Sequence, residues 1–266
     1  MAIHDSLGDR MKEYESRNQY YLQKRTPVCI RVDMRAGHTF TCGFTRPFDE
    51  VFGNAMMRTM EYCAKNIGNC VFAYCQSDEI TFILVDYAKL ETDAWFDYRT
   101  DKLCSISASM ATMAFNRFFA EEVHDFRNRM NYDDDGYPDN NEYNLWTVYN
   151  KAINKGAMFD ARCFNIPREE VTNLIYWRQL DATRNSIQMV GQANFSHKEL
   201  QNKTCNMIQD MLHEEKGINW NDFPTHQKRG TCIVRKPNGW VIDTEIPIFK
   251  GEGRKYIEDL IQPEEE

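Results

Sequence analysis

The strongest constraint on this chain is the order of its short apolar runs and amphipathic stretches from residue 27 onward. Pro27-Val28-Cys29-Ile30-Arg31-Val32 reads as a strand of about 27–33 ending at Asp33. A helix of about 47–67 follows, opened by Pro47 in its first turn and closed by Gly68-Asn69. Val51, Ala55, Met56, Met60 and Cys63 form its apolar stripe. Cys70–Cys75 and Ile80–Val85 are two more apolar runs, joined by Gln76-Ser77-Asp78-Glu79 as strand–turn–strand. A second long helix spans about 93–121 and buries Ile106, Met110, Met113, Ala114 and Phe118. Phe159–Ile166 is a further strand, stopped by Pro167.

Strand, helix, strand, strand, helix, strand is the split βαβ order of the ferredoxin-like α+β class. It predicts a polymerase-palm core with its helices on one face and the other face left for a substrate. Nucleotide cyclases share that arrangement, so the fold alone does not choose a function.

The rest of the chain reads more loosely. Residues 6–20 suit a polar helix with Leu7, Met11 and Tyr14 on one side. Residues 122–155 are acidic, rich in Asn and Tyr, and short of periodicity, so they read as a long surface loop or insertion. A helix of about 168–190 carries Leu174, Ile175, Trp177, Leu180, Ile187 and Val190, and Gly191 closes it. Ser196 and Glu199 make a capping box for a helix of about 197–214. Two runs flanking Lys236-Pro237-Asn238-Gly239 form a β-hairpin, and a short helix of 253–261 ends the chain. The expected division is a catalytic core over 1–135, a variable insertion over 136–155, and a last palm strand with a helical and hairpin extension over 156–266, continuous with the core.

At 266 residues the chain can bury a substantial core. Its nine cysteines are odd in number, scattered among apolar neighbours and without a Cys-x-x-Cys pair, which fits reduced, buried thiols better than a zinc ribbon. No apolar run reaches membrane-spanning length, and Met1–Arg10 lacks a signal-peptide core, so a cytoplasmic protein without membrane attachment is expected. The net charge of −8 argues against broad nucleic-acid binding while leaving room for a local basic groove.

Asp33 at a strand end and Asp78 in a hairpin turn converge if the first strand lies beside that hairpin. Each alone suits an ordinary turn residue. Together they offer hard oxygen ligands suited to Mg²⁺, to which the Met34 carbonyl can add, and two such ions serve in-line phosphoryl displacement. Gly37 lets backbone N–H groups of the loop 34–38 approach phosphate. His38 is placed to stack on a base or to cap the loop. Arg31, Arg35, Arg99 and Lys102 are cations able to neutralise a triphosphate, or simply solvated side chains. There is no nucleophile elbow and no P-loop.

Arg31-x-Asp33-x-Arg35-x-x-His38-x-Phe40, Arg46-Pro47-Phe48-Asp49, and Gln76-Ser77-Asp78-Glu79 together resemble the tRNA-His guanylyltransferase superfamily. The resemblance continues through Arg99-x-x-Lys102, Phe159-Asp160-Ala161-Arg162, Trp177-Arg178-Gln179-x-Asp181 and Lys228-Arg229-Gly230, covering about 5–121 and 156–236. It implies a nucleotidyltransferase that adds nucleotides 3′–5′ to the 5′ end of tRNA. ATP first adenylylates the 5′-phosphate, and the 3′-OH of GTP or another NTP then displaces AMP. It implies that Asp33, the Met34 carbonyl and Asp78 hold two Mg²⁺ ions, with Glu79 in support. Residues 33–38 (Asp33, Met34, Arg35, Ala36, Gly37, His38) and Ser77 would cradle the nucleotide, while Arg31, Arg99 and Lys102 would contact its triphosphate.

Two departures shape the expectation. The family usually has Gly where Met34 stands. The eukaryotic branch has His-Ile-Asn-Asn-Leu-Tyr-Asn where this chain reads Thr183-Arg184-Asn185-Ser186-Ile187-Gln188-Met189. The resemblance is therefore to the "like" branch, which implies templated repair of 5′-truncated tRNA. Arg184 and Asn185, with Lys228 and Arg229, are the RNA-binding candidates, and a homotetramer built as a dimer of dimers is implied. A palm-fold cyclase, a strict tRNA-His guanylyltransferase and a non-catalytic RNA-binding protein are the alternatives.

Overall fold

The computed structural model describes residues 6–236 and 238–263. Its frame is a six-stranded sheet comprising β1 (Val28–Met34), β2 (Cys70–Gln76), β3 (Glu79–Leu84), β4 (Phe159–Asn165), β5 (Thr231–Lys236) and β6 (Gly239–Asp243). The spatial order is β4-β1-β3-β2-β5-β6, antiparallel at every pairing. The first four strands, β4-β1-β3-β2, are the ferredoxin-like core read from the sequence. The hairpin β5–β6 extends that sheet beyond β2. Pro237 in its turn, the first five residues and the acidic Glu264-Glu265-Glu266 tail lie outside the described residues.

The helices are α1 (Ser6–Ser16), α2 (Gly37–Phe40), α3 (Glu50–Asn66), α4 (Thr100–Asn128) and α5 (Asn140–Lys155). In the C-terminal half they are α6 (Arg168–Asn194), α7 (His197–Leu200), α8 (Cys205–Lys216), α9 (Thr225–Arg229) and α10 (Lys255–Glu258). None of the described helices is long and apolar enough to cross a membrane.

Strand alternation sends Val28, Ile30, Val32 and Met34 into a core shared with α3 and α4. Both core helices therefore lie on one face, as expected. The opposite face is not left wholly open. Cys29, Phe72, Tyr74 and Ile83 are covered there by Val171 and Ile175 of α6 and by Ile246, Phe249 and Ile257. Gln179 fastens this cover: its amide donates to the Pro247 carbonyl at 2.8 Å and accepts from the Phe249 N–H at 3.0 Å.

Several local expectations are corrected. Pro47 precedes α3 rather than opening it; Asp49 is the cap, accepting from the Phe52 N–H at 2.8 Å. The helix α4 starts at Thr100, later than 93, and runs on to Asn128. Its buried face is Leu103, Ser107, Ala111, Ala114, Phe115 and Phe119; of the expected residues Ala114 is buried, Met110 and Phe118 are partly buried, and Met113 is exposed. Residues 140–155 form a helix in place of the expected loop. Asp139 caps it at the N–H groups of Asn141 and Glu142, and Tyr149 and Ala152 enter the main core. Gly191 lies inside α6 instead of ending it: a Cβ there would come within 2.7 Å of Ile208 Cγ2 on α8. Trp177 and Leu180 of α6 are exposed. The Ser196–Glu199 capping box is present, but it starts only the short α7; Thr204 caps the separate α8.

Candidate active site

Antiparallel pairing of β1 with β3 places the C-terminal end of β1 beside the β2–β3 turn. Asp33 stands opposite Glu79 on β3 and opposite Asp160 on β4. The Met34 N–H donates to the Asp78 carbonyl at 3.1 Å, which locks the turn onto β1. Ser77 holds that turn with φ 51°. Like charges facing one another across a sheet are unfavourable. Burial accordingly raises the Asp33 carboxyl above the usual carboxylate range, and Asp78, Glu79 and Asp160 push it the same way. Arg162 offsets part of this, with Nη2 3.6 Å from Asp160 and 4.0 Å from Asp33.

The loop after β1 is pinned from below. Ala36 takes a left-handed conformation, φ 55° and ψ 43°, and turns the chain into α2. Phe40 at the end of α2 is buried edge-on against Phe115 and Phe119, ring centroids 5.6 and 5.4 Å away. Burying such a ring contributes about 1.5–3 kcal/mol, enough to hold a short loop in one place. Gly37 is set directly against the Asp78 carboxylate, and a Cβ at that position would lie 1.8 Å from Oδ2. The N–H groups of Gly37 and His38 open the helical turn and have no partner within it. Arg35 and His38 are exposed.

A cavity of about 320 Å³ lies over this loop. Gly37, His38, Ser77 and Asp78, all named from the sequence, line it. Arg46 and Asp49 also line it and had been given no role. Their place in the Arg46-Pro47-Phe48-Asp49 motif was the available signal. The Asp49 carboxylate is fully engaged, accepting from Thr45 N, Phe52 N and the Tyr149 hydroxyl.

Other candidates sit differently. Met34 points its side chain into the core, 4% exposed, so only its backbone faces the site, and its φ is not left-handed. The chain accommodates Met in place of the family's usual Gly on that account. Glu79 is buried and receives Arg178 in a fork, Nε to Oε1 at 2.8 Å and Nη2 to Oε2 at 3.1 Å. The same Nη2 reaches Asp181 at 3.0 Å. Arg31 lies beside this pair, its Nε 3.7 Å from Glu79 and without a hydrogen-bond acceptor. Arg178 was read only as a motif letter; its spacing of three from Asp181 on one helix was the missed cue.

Arg99 and Lys102 are not brought to the carboxylates within one chain. The Thr100 carbonyl lies 3.8 Å from Cys163 Sγ, and Cys163 pairs with Ile30, three residues before Asp33. That is about 10 Å along the strand. Arg99 is bonded instead to Asp101, at 2.8 and 3.1 Å. Lys228 is buried, donating to the Asn221 carbonyl at 2.5 Å with its ammonium 5.6 Å from the Trp220 ring centre. Burial and then Arg229 lower its pKa. Arg184 is exposed and paired with Asp181, and Arg229 is half-buried. Asn185 faces a second cavity of about 490 Å³ that shares Asp49, Phe52, Ser77 and Met189 with the first.

Among the described residues no three His, Cys, Asp or Glu side chains form a ready metal centre. The donors at hand are two carboxylates and a main-chain carbonyl, an all-oxygen set that leaves positions for water and phosphate, as Mg²⁺ prefers. The excess of facing carboxylates around Asp33 fits a cation there.

Comparison with known proteins places these features in a group. Residues 8–167 match the family model described as Thg1, tRNAHis guanylyltransferase. A bacterial tRNA(His) guanylyltransferase (Thg1)-like protein solved in complex with ATP is similar with TM-score 0.81 and 39% identity, over 97% of this chain and 99% of that one. A bacterial Thg1-like protein in complex with GTP gives 0.74 and 37% over the same shares. The tRNA(His) guanylyltransferase of Saccharomyces cerevisiae is 27% identical over 231 residues, 79% of this chain and 82% of its own length.

Proposed function

Because the chain belongs to the tRNAHis guanylyltransferase family, a family of nucleotidyltransferases, we propose that it adds nucleotides 3′–5′ to the 5′ end of tRNA in a template-dependent repair. The observation that carries this reading is the convergence of Asp33 and Asp78 at one sheet edge, with Asp78 on the wall of a nucleotide-sized cavity. The identity of 39% and 37% to bacterial Thg1-like proteins bound to ATP and GTP supports the repair branch, as does the lost His-Ile-Asn-Asn-Leu-Tyr-Asn motif.

In the first step an oxygen of the tRNA 5′-phosphate attacks the α-phosphorus of ATP and pyrophosphate leaves. In the second, the 3′-OH of the incoming NTP attacks the tRNA 5′-phosphorus and AMP leaves. Asp33, Asp78 and the Met34 carbonyl would hold two Mg²⁺ ions, which would supply charge neutralisation at phosphorus and a lowered pKa of the attacking hydroxyl. Gly37 and His38 offer backbone N–H groups to phosphate oxygens, and His38 lies where a base would pass. Arg46 is the cation on the cavity wall. Glu79, held by Arg178, fixes the strand behind Asp78.

The homotetramer belongs to the same proposal. The helix α1 has no buried residue and presents Leu7, Met11 and Tyr14 outward, a surface suited to a second copy. Arg99 and Lys102 would then serve a site completed by assembly.

The deciding assay supplies Mg²⁺, ATP, all four NTPs and a 5′-monophosphorylated tRNA lacking its first nucleotide. Extension by the nucleotide complementary to the acceptor strand is expected, and it should vanish in Asp33→Ala and in Asp78→Ala. An unchanged 5′ end across several tRNAs would reject the reading.

A further inference from the structure

The second cavity, about 490 Å³, lies between α3, α6 and the segment 224–231. It falls within the size range of small-molecule sites. Three of its lining side chains, Gln76, Asn185 and Gln227, carry amides that make no side-chain hydrogen bond with the described residues. Gln76 is 7% exposed, so its amide has little access to solvent except through this space. Amides without a protein partner are satisfied by water or by a ligand. Phe48, Phe52, Met57 and Met189 add apolar walls, and Ser186, His226 and Thr231 add further polar groups. Neither Lys nor Arg lines the cavity, while Asp49 and Glu50 do. That lining repels phosphate. It matches a neutral, planar group with donors and acceptors along its edge.

We infer that this cavity is a second site, taking a nucleobase. Resting on the function proposed above, the inference adds a subsite to it. The shared wall of Asp49, Phe52, Ser77 and Met189 joins the two cavities, so a base held here lies next to the phosphate-handling loop. The amides of Gln76, Asn185 and Gln227 would bond its edge, with the Phe48, Phe52, Met57 and Met189 side chains against its faces. The base can come from a free nucleoside or from an unstacked residue of the tRNA acceptor end.

Gly53 gives a clean test. It lines the cavity from α3, and a Cβ there meets nothing within 4 Å, so Gly53→Leu fills the space without a backbone clash. Gln227→Leu, on a different element, removes one amide and guards against a folding defect. One arm titrates the full-length protein with adenosine, guanosine, cytidine and uridine without divalent metal. The other arm follows 2-aminopurine placed at the first or last acceptor-end base of a 5′-truncated tRNA. In at least one arm both variants should weaken binding about tenfold or more, while Mg²⁺-dependent ATP binding changes less than about twofold. A nucleoside response names the free ligand, and a 2-aminopurine response names the RNA base. Silence of the native protein in both arms, or equal responses in native protein and variants, overturns the inference. Asp78→Ala runs in parallel. If it spares Mg²⁺-dependent ATP binding, the reading of the first cavity fails, while the nucleoside and 2-aminopurine arms still decide the second.

Discussion

The Asp78 carboxylate occupies the space that a side chain at Gly37 would need. A Cβ on residue 37 would lie 1.8 Å from Oδ2 and 2.8 Å from Cγ. The glycine is therefore required by a neighbour; its own φ is not in the left-handed region. Gly37→Ala should leave the circular-dichroism spectrum unchanged and weaken Mg²⁺-dependent ATP binding by about tenfold or more, the cost of moving one ligand by an ångström or so. Native affinity in that variant would show that Asp78 does not need to sit there.

The Asp33 carboxyl is raised by burial and by Asp78, Glu79 and Asp160 above its ordinary 3.8. The native state therefore holds the proton more tightly than the unfolded chain. Stability from this group is fully present below its unfolded pKa and is lost as pH rises through its folded pKa. At neutral pH without divalent ions, Asp33→Asn should melt at a higher temperature than the native protein. Mg²⁺ should raise the native melting point and leave that of Asp33→Asn nearly unmoved. A lower melting point for the variant in chelator contradicts the crowding of carboxylates described here.

Arg178 and Glu79 form a buried, forked ion pair. Arg178→Ala leaves the buried Glu79 carboxylate with only Arg31, 3.7 Å away, to offset it, and should cost about 3 kcal/mol in a denaturant titration. Glu79→Gln with Arg178→Met should cost much less than the sum of the two single changes, because both charges leave together. Strict additivity would mean that the pair does not couple.

Cysteine reactivity gives an independent check of the packing. Cys42 is exposed, whereas Cys163 is half-buried with its thiol pushed up to about 12 by burial and by the neighbouring Cys104, 3.5 Å away. Under brief alkylation at neutral pH, mass spectrometry should find Cys42 modified first and Cys163 nearly untouched. Early labelling of Cys163 would mean that β4 separates from α4.

The palm core was readable because each of its strands is a short apolar run bounded by turn residues, and β1, β2, β3 and β4 all fall within a residue or two of expectation. The carboxylate pair followed from the same pattern, since strand ends are where a sheet exposes polar groups. Helix faces were harder. In α4 apolar residues surround much of the helix, so a stripe through Met113 and one through Phe115 both satisfy the spacing, and only the sheet beneath decides. In α5 the apolar positions Leu145, Trp146, Tyr149 and Ala152 are interleaved with Asn, and the strongest start signal, Asp139, was read as part of an acidic loop. Charged residues showed the opposite failure. Lys228 and Arg178 look solvent-facing by type, yet both are buried: Lys228 reaches the Asn221 carbonyl seven residues back, and Arg178 a carboxylate 99 residues away. Nothing near Arg178 in the chain encodes its partner Glu79.

The cover over the second face of the sheet also has a meaning for how the protein is made. Cys29, Phe72, Tyr74 and Ile83 are synthesised about 160 residues or more before Ile246, Phe249 and Ile257 that shield them. During translation this apolar face stays only partly covered, by Val171 and Ile175 once α6 has emerged, until the segment 246–257 follows and Gln179 clasps Pro247 and Phe249. The interval between the two is when the polypeptide is most in need of a chaperone, and a stop codon shortly before residue 246 would make that interval permanent.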